Sequence, residues 1–148
     1  MNNFPKLFEP IQLGNITVKN RIFMPPVSTN LCDHGYITDA LVDHYATRAK
    51  GGVGLIITEV TVVEPIYTYL PGDISIADDS YIEGWNKLAD AIHQYDAKIL
   101  PQLFHPAFMA YPLPGTPQLI APSTVGPYYA KEPPRPVTIE ELQVIIKQ

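Results

Sequence analysis

Val53-Gly-Leu-Ile-Ile-Thr-Glu-Val60 decides the fold class, because this mostly apolar run shows no alternation between apolar and polar residues. Strands that face water on one side alternate, whereas strands of parallel sheets are buried on both faces and carry unbroken runs rich in β-branched residues. The stretch therefore predicts a strand in the middle of a parallel sheet. Gly51-Gly52, directly before it, predicts the end of a helix.

Two shorter apolar runs predict further strands before and after this one. Residues 22–24 are continuously apolar and end at Pro25-Pro26, whose nitrogens cannot donate hydrogen bonds to a sheet. They predict a first strand that is buried on both faces. Residues 99–103 predict a third strand.

Apolar residues at helical spacing fill the stretches between these strands. Thr38 is a suitable N-cap for a first helix, and Ser80 is a suitable N-cap for a second. The expected buried residues are Leu41, Val42, Tyr45, Ala46 and Ala49 in the first helix, and Ile82, Trp85, Leu88, Ala89 and Ile92 in the second.

The two ends of the chain carry clear local signals. Gly14-Asn15 suits the central positions of a tight turn, so residues 11–18 predict a short hairpin. Thr138 and Glu141 form a capping box that opens a third helix, within which we expect the sequence to end. The residues expected on the buried face of this helix are Leu142, Ile145 and Ile146.

Strands that alternate with helices predict an α/β protein built from βαβ units with right-handed crossovers. Both a doubly wound sheet and a (β/α)8 barrel agree with this order. No GxGxxG motif follows any strand, and the long loops follow strand ends, where barrel enzymes build their sites, so we favour the barrel. A complete barrel needs eight strands and about 250 residues. We therefore expect an incomplete (β/α)8 TIM barrel: an N-terminal hairpin and the first three βα units.

The domain expectation is a single unit over residues 1–148. Within it, residues 1–20 form the N-terminal hairpin segment, and residues 104–137 form a proline-rich loop at the barrel rim. The unpaired edge of the third strand predicts association with another chain, either a second copy or a complementary one. The alternative is a truncation of marginal stability.

Composition excludes several classes of function. The net charge is −5 without a basic stripe, which argues against nucleic acid as a partner. Cys32 is the single cysteine, so the chain has no disulfide and no cysteine pair for zinc, and Cys32-Asp33-His34 alone is a weak metal signal. We expect no metal site. The absence of an apolar run of about 18 residues and of a signal peptide predicts a cytoplasmic protein outside the membrane.

The strand ends carry the residues that could perform chemistry. Ser28 follows the first strand, and on residue chemistry alone that region is a strand end broken by Pro25-Pro26. Gln102, near-buried in the third strand, needs partners for both amide atoms, which neighbouring backbone can provide. Glu59 is expected to be satisfied by a backbone donor or by an arginine.

Three motifs together are similar to the N-terminal part of the old yellow enzyme and NADH:flavin oxidoreductase family. The motifs are Arg21-Ile-Phe-Met-Pro-Pro-Val-Ser28, Gly51-Gly-Val-Gly-Leu-Ile-Ile-Thr-Glu59 and Pro101-Gln-Leu-Phe-His105, and the resemblance covers residues 7–148, including Thr138-Ile-Glu-Glu141. It implies an FMN-dependent oxidoreductase of the ene-reductase type. NAD(P)H reduces the flavin, and hydride passes from flavin to an activated C=C bond of a small enone or enoyl substrate.

The proline-rich loop, with Ala121-Pro-Ser123, resembles the dienoyl-CoA reductase-like branch of that family. Some members of the branch hold an iron–sulfur cluster. The cysteines that would bind such a cluster belong to a later region of those proteins, so the resemblance implies a cluster only downstream of these residues.

The resemblance also implies which positions contact FMN. Pro26, Val27 and Ser28 match the stretch that lies against the isoalloxazine ring, with the Ser28 hydroxyl near the C4 carbonyl. Val60 matches a position that is usually alanine or glycine and packs close to the flavin. Gln102 matches the glutamine that binds the pyrimidine edge of the ring.

A substrate pocket is implied less directly by His105 and by Tyr67 and Tyr69 in the loop after the second strand. His105-Pro-Ala-Phe108 departs from a common family pattern, because many relatives have glycine at the position of Ala107 and then a basic residue. A structural histidine is the alternative for His105. The alternative for the loop tyrosines, including Tyr111, Tyr128 and Tyr129, is packing of the loops onto the barrel.

The parts that complete such an enzyme lie on later strands in the family. These are the substrate-binding His/His or His/Asn pair and the loops that hold the FMN phosphate. We therefore expect no catalytic residue in these 148 residues and no turnover from the chain alone. The alternative is a non-catalytic barrel fragment that functions only by association with a complementary chain.

Overall fold

The computed structural model describes residues 4–64, 66–110, 115–126 and 132–147. Near the N-terminus, the strands β1 (Ile11–Leu13) and β2 (Ile16–Val18) form an antiparallel hairpin. Gly14 has a φ of 56°, the left-handed conformation that glycine adopts without steric cost. The predicted hairpin is confirmed.

A parallel sheet forms the centre of the structure. Its strands are β3 (Phe23–Met24), β4 (Leu55–Val62), β5 (Ile74–Ser75) and β6 (Lys98–Phe104). β4 lies between β3 and β6. β5 also pairs with β4, on the same side as β3 but further along the strand. The parallel arrangement confirms the prediction, while β5 was not predicted because two residues carry no periodic pattern.

The burial of the strands agrees with the sequence for β4 but not for β3. β4 begins and ends two residues later than predicted, and it is buried on both faces. In contrast, Phe23 of β3 is 39% exposed, so the prediction that the first strand is buried on both faces is wrong. An apolar run shows that a strand can be covered, but the cover itself must come from elements elsewhere in the chain, and the described ranges place none over this face.

A β-bulge interrupts the ladder between β4 and β6. Ile57 pairs with Leu100, but the next pair is Val60 with Gln102, so Thr58 and Glu59 together lie opposite Pro101. Pro101 has no N–H to donate, and bulges are the usual place for proline within a sheet. The extra residue brings Val60 into register with Gln102.

Helix α1 (Asp39–Lys50) begins as predicted. The Leu41 N–H donates to Thr38 Oγ1 at 3.3 Å, which makes Thr38 the N-cap. The helix ends at Gly51. Its predicted buried residues are confirmed except for Ala46, which is half-buried.

Helix α2 (Ile82–His93) has no side-chain cap of its own, because Tyr81 at its N-cap position forms no such hydrogen bond. A short 3-10 turn, Asp79–Tyr81, precedes it, and Asp78 caps that turn by accepting the Ser80 N–H at 2.8 Å. The prediction that Ser80 is the cap is therefore wrong, because an aspartate two residues earlier competes for the same role. Ile82 is exposed, and the buried face of the helix is formed by Leu88 and Ile92.

The main core lies where α1 and α2 pack on one face of the sheet. The members of this cluster are apolar and buried: Leu41, Val42, Tyr45, Ala49, Ile56, Ile74, Leu88, Ile92 and Ala97.

The proline-rich segment contains regular structure. β7 (Ile120–Ala121) and β8 (Arg135–Pro136) form a parallel pair within it. Ile120 joins Tyr67 and Ala110 in a second, smaller apolar cluster. The segment is thus partly packed onto the loop that follows β4.

Helix α3 (Ile139–Lys147) confirms the capping box. The Glu141 N–H donates to Thr138 Oγ1 at 3.2 Å, and the Thr138 N–H donates to Glu141 Oε2 at 2.9 Å. Hydrogen bonding to Arg135 lowers the pKa of Glu141 to about 2.

The predicted buried face of α3 is wrong. Leu142 and Ile146 are exposed, Ile146 by 81%, and Ile145 is half-buried against the second cluster. The spacing that gives α3 an apolar face is local, but burial requires a partner surface, and the described ranges provide one only for Ile145.

Ala107 occupies a left-handed backbone conformation, which favours glycine. Its φ is 50°. The left-handed conformation costs a residue with a Cβ about 1–2 kcal/mol, whereas glycine carries an entropic cost of about 0.5–1 kcal/mol. We therefore expect Ala107→Gly to raise the free energy of unfolding by about 0.5–1 kcal/mol, measured by urea denaturation.

Ala110→Gly is the matched control for this substitution. Ala110 has a φ of −57° and is buried, so glycine there removes a packed methyl group and gains no conformational relief. It should lower the free energy of unfolding. Destabilisation by both substitutions would contradict the strain assigned to Ala107.

No helix in the described ranges is long and apolar enough to span a membrane.

Candidate functional site

The predicted flavin-contacting residues converge at one edge of the sheet. β3, β4 and β6 are parallel, so their carboxyl ends lie at the same edge. Val60 and Gln102 are direct partners in the β4–β6 register, and both are half-buried. The structure thus brings together two positions that are 42 residues apart in the sequence.

The segment 26–28 reaches the same edge through a tether at Thr29. The Thr29 N–H donates to Glu59 Oε1 at 3.2 Å, and the Thr29 hydroxyl donates to Glu59 Oε2 at 2.8 Å. Glu59 immediately precedes Val60 in β4. Val27 is 61% exposed and Ser28 is also exposed, so both side chains are accessible to a ligand.

Glu59 is fully buried and fully satisfied by these and further bonds. Tyr45 of α1 donates its hydroxyl to Glu59 Oε2 at 3.1 Å and accepts the Glu59 N–H at 2.9 Å. Glu59 was expected to bond to a backbone donor or to an arginine, and the Thr29 N–H is such a backbone donor. The other donors in the described ranges are hydroxyls rather than an arginine.

Gln102 has the properties of a ligand-binding amide. It is half-buried, and its side chain forms no hydrogen bond with the part of the chain that the structure describes. Neither amide atom is among the buried side-chain atoms that lack a partner in the described ranges, so both atoms are open to solvent. The amide is therefore available for a ring edge that offers a donor beside an acceptor, which fits the pyrimidine edge of FMN.

His105 follows β6 and packs against Tyr67, with ring centroids 5.2 Å apart. Its Nδ1 accepts the Ala107 N–H at 3.1 Å, which places the imidazole proton on Nε2. Nε2 is buried and has no hydrogen-bond partner in the described ranges. Burial also lowers the pKa of His105, so the ring is neutral at physiological pH.

The loop tyrosines divide between the two expected roles. Tyr67 is buried and donates its hydroxyl to the Gln118 carbonyl at 3.4 Å, which is a packing role. Tyr69 is half-buried, with its ring 5.8 Å from that of Phe104. Tyr111, Tyr128 and Tyr129 lie outside the described residues.

A separate cavity of about 200 Å³ lies beside the loop after β4. It does not include Ser28, Val60 or Gln102, and it is smaller than the roughly 300–1,000 Å³ of most ligand sites. Its lining residues include Tyr67, Thr68, Asp73, Ser75 and Tyr81. It is therefore separate from the edge of the sheet that carries Val60 and Gln102.

Asp73 was not identified from the sequence, whereas the neighbouring Cys32 and Glu59 were. Burial, with Glu59 and Asp73 nearby, raises the pKa of Cys32 to about 12. Burial also raises the pKa of Asp73. Tyr45 was expected only as a core residue, because its place in the helical pattern does not indicate a bond to Glu59.

The described ranges contain no group of side chains arranged to hold a metal ion.

Comparisons with known proteins show which family the chain resembles. The model of the NADH:flavin oxidoreductase / NADH oxidase family matches residues 6–146. Among curated proteins, the chain is 40% identical to an NADH oxidase of Thermoanaerobacter brockii, over 100% of this chain and 23% of that protein. It is 34% identical to an NADPH dehydrogenase of Clostridium acetobutylicum, over 95% of this chain and 41% of that protein.

A solved structure supports the same relationship. The old yellow enzyme homologue from Zymomonas mobilis superimposes with a TM-score of 0.82 and 29% identity, over 97% of this chain and 42% of that one. The chain thus spans less than half the length of the relatives that it matches.

Proposed function

The chain belongs to the NADH:flavin oxidoreductase / NADH oxidase family, and we propose that it forms the N-terminal part of an FMN-dependent NAD(P)H oxidoreductase of the ene-reductase type. In this proposal the parallel strands are the first strands of a (β/α)8 barrel. Residues 1–148 are one portion of its FMN-binding domain, with the hairpin segment at 1–20 and the rim loop at 104–137. The substrate is a small enone or enoyl compound.

The chain contributes one wall of the flavin site. When bound, FMN carries hydride between NAD(P)H and the substrate. Val27 offers an exposed apolar surface beside Pro26, Ser28 offers a hydroxyl that can donate a hydrogen bond, and Gln102 offers both amide atoms. A donor near the ring stabilises the negative charge that gathers there on reduction.

One observation carries the proposal: the convergence of segment 26–28, Val60 and Gln102 at one edge of the sheet. Segment 26–28, Val60 and Gln102 carry no charged side chain that could bind a phosphate. We propose that the phosphate loops and the catalytic pair come from other residues, so that the isolated chain binds FMN weakly and has no turnover.

His105 and Tyr69 are proposed to border the substrate pocket. The buried Nε2–H of His105 is a donor without a partner in the described ranges, which favours a role at a ligand-binding edge. Tyr67 is proposed to form the wall behind His105, because its hydroxyl is engaged by Gln118. An iron–sulfur cluster, if the dienoyl-CoA reductase-like branch is correct, would need cysteines beyond Cys32.

An FMN titration of the purified chain tests the proposed site. Quenching of flavin fluorescence gives the dissociation constant, and sedimentation of the same sample gives the association state. We expect Gln102→Ala to weaken FMN binding by about fivefold to thirtyfold, because one or two hydrogen bonds of about 1 kcal/mol each are lost.

Gln94→Ala is the matched control. Gln94 is exposed at the C-terminal end of α2. The chain continues from there to the amino end of β6, whereas the candidate site lies at the carboxyl ends of the strands. Its loss should leave the FMN dissociation constant unchanged. Equal affinities of the wild-type and Gln102→Ala chains would overturn the assignment of Gln102.

The second candidate function is a non-catalytic barrel fragment that acts only by association with a complementary chain. The exposed apolar side chains favour it: Leu103 is 65% exposed, and Ile146 is exposed further still. A cooperatively melting monomer with no FMN affinity would count against both candidates. A stable oligomer without FMN affinity would favour the fragment.

A further inference from the structure

Glu59 joins three parts of the structure that are separate in the sequence. It lies in β4, it accepts two donors of Thr29 from the segment after β3, and it exchanges two hydrogen bonds with Tyr45 of α1. Both Glu59 and Tyr45 are fully buried. A buried carboxylate is stable only when its oxygens are satisfied, so its charge demands these bonds.

The bond from the Thr29 N–H has a direct consequence for Ser28. This N–H belongs to the peptide group whose carbonyl is that of Ser28. The peptide is planar and trans, so the Ser28 carbonyl points away from Glu59. The carboxylate therefore sets the orientation of the Ser28–Thr29 peptide, and with it the backbone from which the Ser28 side chain extends.

The bulge in β4 places Glu59 next to the Val60–Gln102 pair. The Glu59 backbone lies opposite Pro101, which has no N–H, and the Glu59 N–H bonds to the Tyr45 hydroxyl instead of to a neighbouring strand. Val60 follows immediately and pairs with Gln102. One residue thus connects the segment 26–28 to the Val60–Gln102 pair.

We infer that Glu59 is a positioning residue for the flavin site. Through its bonds to Thr29 and Tyr45, Glu59 holds segment 26–28 in register with Val60 and Gln102. The inference rests on the proposed function, because that function assigns FMN to these positions. Glu59 itself is buried behind them and does not contact the ligand. Its carboxylate matters because both oxygens accept hydrogen bonds at once, from Thr29 and from Tyr45.

Two kinds of variant test the inference in the full 148-residue chain. Glu59→Gln replaces one accepting oxygen by a donor of the same shape. Thr29→Val removes the hydroxyl and keeps the shape, whereas Thr29→Ser keeps the hydroxyl as its matched control. Leu88→Val loosens the main core without touching the tether, and so controls for a loss of stability alone.

The first measurement is hydrogen exchange of the Thr29 amide by NMR, which does not depend on FMN. Glu59→Gln should accelerate this exchange by about tenfold or more relative to amides of β4. Leu88→Val should change both rates in parallel. Unchanged exchange of Thr29 in Glu59→Gln would overturn the inference.

The second measurement is the FMN dissociation constant. Thr29→Val should raise it by about tenfold, while Thr29→Ser stays within about twofold of the wild type. Equal affinities of the Val and Ser variants would overturn the inference even if Glu59→Gln fails to fold. A wild-type chain without FMN affinity would instead count against the proposed cofactor site, and the Thr29 exchange rates would then decide the role of Glu59.

Discussion

A chimera in which this chain replaces the matching segment of the Clostridium acetobutylicum NADPH dehydrogenase should bind FMN about a hundredfold to ten-thousandfold more tightly than the chain alone. Two charge-assisted hydrogen bonds to the phosphate, each of about 1.5–3 kcal/mol, are sufficient for this difference. The chimera should also oxidise NADPH, whereas the isolated chain should not. Flavin retention on gel filtration and absorbance of NADPH measure the two outcomes.

The chimera also separates this chain's contribution from that of its host. Gln102→Ala in the chimera should weaken FMN binding, while Gln94→Ala should not. The host segment that remains after removal of its own N-terminal part is the second control. Tight FMN binding and NADPH oxidation by the isolated 148-residue chain would contradict the division of the site proposed above.

Iodoacetamide should alkylate Cys32 about a thousandfold more slowly in the folded chain than in concentrated urea, because the thiolate is the reactive form. Burial raises the pKa of the thiol from 9.0 to about 12, and the neighbouring Glu59 and Asp73 act in the same direction. At neutral pH this lowers the thiolate fraction by about three orders of magnitude. Mass spectrometry over time gives both rates.

The pH dependence distinguishes this mechanism from reaction through transient unfolding. The rate in urea should level off above pH 9.0, the ordinary thiol pKa, whereas the rate of the folded chain should continue to rise. Glu59→Gln removes a neighbouring negative charge and should increase the folded-state rate modestly, since burial is the larger cause. Folded and unfolded rates within about tenfold of each other would contradict the prediction.

The position of the candidate residues at strand ends was predictable, because Pro26, Ser28 and Gln102 follow or end apolar runs, and parallel strands bring such ends to one edge. Their role as flavin contacts came only from the resemblance of the motifs to a family, and it stays a prediction. The tether beneath them was not predictable. Thr29 and Glu59 are 30 residues apart, and no local pattern pairs a threonine with a particular carboxylate at that distance.

The helices and the hairpin were determined by the sequence itself. The spacing of Leu41 and Tyr45, the caps at Thr38 and Thr138, and the turn at Gly14 depend on neighbours within a few residues, so the sequence suffices to predict them. The mistaken cap at Ser80 is of the same local kind, and it failed because Asp78 offers a competing acceptor.

Burial and register were decided only by the tertiary structure. Phe23 and Ile146 are apolar residues in apolar patterns, yet both are exposed, because burial needs a covering surface from elsewhere. The bulge opposite Pro101 and the bonds between Glu59, Thr29 and Tyr45 likewise depend on elements that meet only after folding. Local spacing therefore determined which segments become helices and strands, and long-range packing decided which of their side chains meet at the site.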